Sequence, residues 1–175
     1  IVLNIFNGPV LNAARGIATS VNAAVSSFTG GFMTALNPQI TKSYAIKDNE
    51  YLMFLVERGS RFSFYILMVL AFPIIIETEY ILSLWLVNYP DHSVNFVRLV
   101  LLMSLFEAIS NTLITLQLAT GKIRNYQLAV GGVLLLNFPL SYIALRIQLP
   151  PESVYVIAIV IAILCLILRL FFLRK

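Results

Sequence analysis

Residues 8–45 read GPVLNAARGIATSVNAAVSSFTGGFMTALNPQITKSYA, and the fold turns on what this stretch is. Small side chains recur at every fourth position along it: Gly16, Ser20 and Ala24 on one line, Ala23, Ser27, Gly31 and Ala35 on another. The spacing predicts a membrane helix over residues 11–36 that packs through close backbone approach. Lipid tails are as apolar as leucine, so the hydrophobic effect does not pull helices together there. Asn12, Arg15 and Asn22 lie inside the stretch, and an arginine within a span is costly unless it faces protein or water. Asn37-Pro38 predicts the end of the helix, because the residue before a proline is pushed away from helical geometry.

Outward from this stretch the same style of sequence continues. Of 175 residues 59% are hydrophobic and only 11% charged, with a mean hydropathy of +0.89, which excludes a soluble domain. Apolar runs separated by short charged clusters are the layout of an all-α, polytopic transmembrane bundle. Residues 1–8 read as the end of a preceding span, and Ile1 opens in mid-phrase, as expected of a piece of a longer chain. Further spans are expected at 62–80, 94–118, 126–145 and 154–172. Residues 49–61, NEYLMFLVERGSR, carry apolar residues at helical spacing and predict a short helix lying in the interface. Pro73 and Pro139 predict kinks, and Trp85 and Tyr89 suit the headgroup layer.

Cation placement gives the direction of the spans. With the loop after the first long helix taken as cytoplasmic, Lys42, Lys47, Arg58, Arg61, Lys122, Arg124, Arg169, Arg174 and Lys175 fall inside. Arg15, Arg98 and Arg146 fall on the other half. A split this lopsided through successive loops supports the spans and puts the C-terminal end in the cytoplasm.

Within the spans a few residues stand out. Arg15 either lines a water-filled cavity, where a guanidinium grips phosphate or carboxylate bidentately, or snorkels to the headgroups. Neighbouring Asn12 and the small residues suit a protein-facing surface. Glu107 lies near the centre of its span, with Asn111 four residues on and so on the same face. An acid at that depth marks an ion or proton site, or the partner of a buried cation. Arg98 is nine residues before Glu107, on a different face, and either snorkels or joins a substrate site. His92, between Asp91 and Ser93, reads as a solvated loop residue, since sequence neighbours do not make a triad. One cysteine, Cys165, and one histidine offer no disulfide framework and no metal site. No cofactor, no nucleic-acid patch and no enzymatic constellation are expected.

Several phrases carry a resemblance: NGPVLNAARGIATSV, ALNPQITKSYAIKDNEYLMFLVERGSRFSFYILMVLAFPI, ILSLWL, ATGKIRNYQ and NFPLSYIAL. They resemble polysaccharide-biosynthesis membrane proteins, the O-antigen and lipid-linked oligosaccharide flippases of the MATE-like exporter superfamily. The resemblance covers nearly all of the chain and corresponds to part of the second half of such a protein. It implies two helical bundles around a cavity of alternating access in a bacterial inner membrane, with the N-terminal bundle outside this sequence. It also implies a lipid-linked glycan as passenger, an undecaprenyl diphosphate sugar, in a cationic cavity where Arg15 occupies a plausible lining position. With Asn12 and Arg98, singled out by their place in the spans, Arg15 makes up the candidate binding set. Glu107 and Asn111 are the candidates for coupling to H+ or Na+. A multidrug cation antiporter of the same superfamily is the alternative, and would favour a cavity rich in acids and aromatics.

Overall fold

The computed structural model describes residues 2–86, 88–121 and 123–173, with residues 2–7 as backbone only. Seven helices follow one another among the described residues: α1 (Val2–Ala45), α2 (Asn49–Ile76), α3 (Thr78–Trp85), α4 (Ser93–Ala119), α5 (Ile123–Leu135), α6 (Asn137–Arg146) and α7 (Ser153–Leu173). Four stretches are long and apolar enough to cross a membrane: α2, α4, the α5–α6 pair over Ile123–Arg146, and α7. By length and hydropathy the chain is a multi-pass membrane protein. α1, although the longest at 44 residues, is not among the four. Its only charges are Arg15 and Lys42, so the shortfall lies in its glycine, serine, threonine and asparagine content.

Two local expectations change at α1 and α2. Gly8 breaks α1 with φ +76° and ψ −173°, a conformation open to glycine, and Pro9 restarts the helix. The helix then continues through Asn37-Pro38 to Ala45 instead of ending there. Tertiary contacts outweigh the local preference: Ile40 and Ser43 beyond the proline are buried, and Thr115 of α4 donates to the Asn37 Oδ1 at 2.8 Å. Residues 49–61 are no separate interfacial helix but the first half of α2. Leu52, Leu55, Val56, Gly59, Ser63, Leu67 and Ala71 form one buried stripe across the expected boundary. Glu57 and Arg61 pair at 2.5 Å on the exposed side. Asp48 caps this helix by accepting from the Tyr51 N–H at 3.1 Å. The other boundaries fall close to expectation, with breaks at Glu77 and Leu136. Lys122, Arg174 and Lys175 of the inside cations lie outside the described residues.

α4 is the axis of the bundle, packed against α1, α2, α3 and α7. Its buried residues run all the way round, and along its length only Asn95, Leu102, Glu107 and Leu118 are exposed. One apolar cluster joins Ala14 and Ala18 of α1, Leu67 and Ala71 of α2, and Phe96 to Leu101 of α4. A second, further along α1, joins Ile40, Leu52, Leu55, Val56, Leu113 and Leu116. The third joins Tyr126 and Val130 of α5 to Ile161 and Cys165 of α7.

The small-residue lines of α1 are not the packing seam. Gly16, Ser20, Ala23, Ala24, Ser27, Gly31 and Ala35 are all exposed, and the packed face is Ala14, Ala18, Val25, Thr29, Met33 and Ile40. The closest approach lies instead at Gly59, where a Cβ would collide with the Leu36 side chain and come within 3.1 Å of Thr112. Beside it Ser60 and Thr112 share a short hydroxyl hydrogen bond between α2 and α4. Gly59→Ala is expected to cost about 1–3 kcal/mol by overpacking, read as a lower unfolding midpoint in detergent. Gly131→Ala, at an open position in α5, should leave that midpoint unchanged or slightly raised.

Candidate functional site

Between α1, α4, the α5–α6 pair and α7 lies a cavity of about 650 Å³. Its wall brings together Arg15 of α1, Glu107 and Ser110 of α4, Asn137 and Ser141 of α6, and Arg169 of α7. A second cavity of about 310 Å³ lies further along α1, lined by Ser26, Thr29 and Gly30, with Ser104, Glu107, Ser110 and Asn111 of α4 and Arg169 again. Glu107, Ser110 and Arg169 are the residues common to both. The two spaces adjoin at this partition of shared lining residues.

Each polar group is placed by its helix. Glu107 stands at mid-length of the 27-residue α4 and is the open position in that stretch of a closely packed helix. Arg169 stands four residues after Cys165 and eight after Ile161, both buried against α5, so its face of α7 turns inward. Its Nε donates to the Tyr126 Oη at 3.3 Å. Tyr126 is itself buried and set edge-on against Phe172, 6.1 Å between ring centres. Asn137 opens α6 where Pro139 interrupts the α5–α6 pair, and its Oδ1 accepts from Ser141 at 3.0 Å. The proline has no N–H to give the Leu135 carbonyl, and the break therefore presents polar backbone at membrane depth, tolerated where it lines a cavity.

Of the residues singled out in the sequence, the fold brings Arg15 and Glu107 to one cavity and adds Asn111 on the adjoining one. Asn12 and Arg98 line neither cavity. Asn12 is exposed on α1. Arg98 does structural work: its Nε donates to the Ile75 carbonyl at 3.1 Å and its Nη2 lies 3.8 Å from Glu79. It thereby satisfies a carbonyl left over at the end of α2, where Thr78 also donates to Ile74 and Ile75. Arg169, counted in the sequence among the cations of the inner side, belongs to the cavity. The signal for it was its register with Cys165 and Ile161 inside an apolar run.

No family model, characterised protein or solved structure matches this chain. What the site does therefore rests on its own geometry. Among the described residues no three His, Cys, Asp or Glu side chains gather to hold a metal ion. Two guanidiniums and one carboxylate around a common space of this size can hold an anion larger than a simple ion.

At one end of the bundle His92 and Asn95 reach across to Glu152 in the turn before α7, with His92 Nδ1 at 2.6 Å and Asn95 Nδ2 at 3.0 Å from its Oε1. Burial works against the charged form of Glu152, but hydrogen bonds from His92 and Asn95 outweigh it and hold the carboxyl below its ordinary value. A depressed carboxyl contributes stability above its unfolded pKa and loses it as pH falls through the folded value. The unfolding midpoint should thus fall on acidification below about pH 4.3, the ordinary glutamate value. Glu152→Gln should lower the midpoint at neutral pH and flatten this acid limb; an unchanged limb would show that the contact does not form in the membrane-extracted protein.

Proposed function

We propose that the chain is part of a flippase that carries a lipid-linked oligosaccharide, an undecaprenyl diphosphate sugar, across a bacterial inner membrane by alternating access. The observation that carries this reading is that Arg15 of α1 and Arg169 of α7 line one largely apolar cavity between membrane helices, where cations are costly unless they serve a ligand or a pathway. A diphosphate offers the oxygen pairs that guanidiniums hold bidentately, and the low-dielectric surroundings strengthen that attraction. The apolar part of the wall, Leu134, Leu135, Phe138 and Ala158 among it, suits a prenyl chain or the carbon face of a sugar.

The open, small and polar face of α1 supports the rest of the architecture. Gly16, Ser20, Ala24, Ser27 and Gly31 suit water or a second bundle far better than acyl tails. A second, N-terminal bundle of the same protein would close the passage there in the manner of a MATE-like transporter. Coupling to H+ or Na+ belongs to Glu107 and Asn111, which share the smaller cavity. Two cations against a single acid in the larger cavity weigh against a cation antiporter. The C-terminal end is cytoplasmic in this arrangement, as the placement of Lys42, Lys47, Arg58, Arg61 and Arg124 favours.

In the full-length protein at unchanged expression, Arg15→Ala and Arg169→Ala are each expected to cut surface-glycan export about tenfold or more, the scale of a lost charge-assisted contact. Arg98→Ala at matched folded protein should leave export near normal. Full export in both cavity variants would overturn the reading.

A further inference from the structure

The partition between the two cavities holds opposite charges on two different helices. Glu107 of α4 and Arg169 of α7 line both spaces, and the Arg169 guanidinium is the charge whose field reaches Glu107. Among the described residues Arg169 is engaged by Tyr126 through Nε alone, so both Nη groups remain for the cavity. A ligand anion and the Glu107 carboxylate therefore address the same cation. In a space where water is limited, one guanidinium cannot fully compensate both.

We infer that Arg169 is shared between Glu107 and the bound anion, so that anion binding and proton uptake by Glu107 favour each other. The inference rests on the anion-site reading of the larger cavity and adds to it the coupling step. In the empty site the Arg169 cation, which makes no direct ion pair with Glu107, gives its carboxylate partial compensation through space. When an anion arrives at Arg169, the carboxylate loses that compensation and takes one proton from cavity water. The site remains neutral for a singly charged ligand in both states. When the anion leaves, the proton returns to water and the carboxylate regains its cation. Because the two groups sit on the wall common to both spaces, the exchange also sets whether α4 and α7 are drawn together at that partition.

The other groups facing Glu107 do not supply this behaviour. Arg15 of α1, with Tyr155 and Cys165 of α7, lines the larger cavity. α2 contributes Leu67 to the smaller cavity, α6 contributes Asn137 and Ser141 to the larger, and Tyr126 of α5 stands behind Arg169. The α3 acid Glu79 lies near Arg98, away from the partition. Tyrosine, cysteine and arginine ordinarily titrate above about pH 8, so Glu107 is the group able to exchange a proton in the acidic-to-neutral range.

The test uses the full-length protein in detergent and a long-chain alkyl sulfonate, an anion whose own charge is constant over the range. Calorimetry in two buffers of different ionisation enthalpy reads affinity and proton uptake together. Wild type should bind about tenfold more tightly at about pH 5.5 than at about pH 8, a usual size for coupling between two sites, and take up close to one proton. Glu107→Gln should bind at the tighter level at both values with no proton uptake. The same pH slope and proton uptake in Glu107→Gln would overturn the linkage while leaving the anion site intact. Failure of both proteins to bind at either pH, with both shown folded by their unfolding transitions, would overturn the anion site and the linkage with it.

Discussion

A charge at the middle of a bilayer has to be met by water or by protein, and in this bundle that constraint falls on α4. The helix is wrapped by α1, α2, α3 and α7, so nearly every position along it is occupied by packing. Placing a carboxylate at the centre of such a helix costs about 2.5–3.5 kcal/mol on insertion scales unless the group is compensated. The structure leaves a gap in the packing at Glu107, and Arg169 of α7 lines the same cavities without a direct ion pair to it. The cavities are the consequence of that gap: the apolar clusters on either side close up, and the level between them does not.

The rest of the fold keeps this level open without loosening the bundle. α1, α2 and α4 are bound tightly along one seam by Gly59, the Ser60–Thr112 hydroxyl pair and the Asn37–Thr115 contact. The α5–α6 pair touches α7 and, through α6, α1, and it is interrupted at Leu136. One side of the cavity is thus a rigid three-helix wall and the other a broken helix backed by α7.

Much of this architecture was legible in the chain, because hydropathy, proline and glycine mark local structure directly. The spans beginning near residues 94, 126 and 154 and the break near Pro139 follow from them. The failures share a cause. Asn37-Pro38 reads as a helix end by local geometry, but burial of Ile40 and Ser43 beyond it carries the helix on. The small-residue lines of α1 show which residues share a face, yet periodicity alone does not say which face meets a neighbour. Arg169 reads only as a cation of the inner side, because counting charges near helix ends ignores rotation about the helix axis. Arg15 and Glu107 were visible as costly residues, whereas Arg98 looked similar and proved to serve the end of α2. Sequence identifies the expensive groups; only packing decides which are compensated by backbone and which by an open space.

The central claim is that the level of Glu107 is wet although it lies at the middle of a membrane helix. Cys165 is the chain's one cysteine, so Cys165→Ser provides a background without thiols in this part of the protein. In that background, with any thiols elsewhere in the full-length protein also removed, Glu107→Cys and Val69→Cys place single thiols in the cavity and on the exposed outer face of α2. Intact membranes are then treated with a charged, membrane-impermeant thiosulfonate, reactive only towards thiolate in water. The account predicts rapid labelling at position 107, slowed by a long-chain sulfonate, and negligible labelling at position 69. A thiol at 107 as inert as the one at 69, with both reacting fully once the protein is denatured, would contradict it.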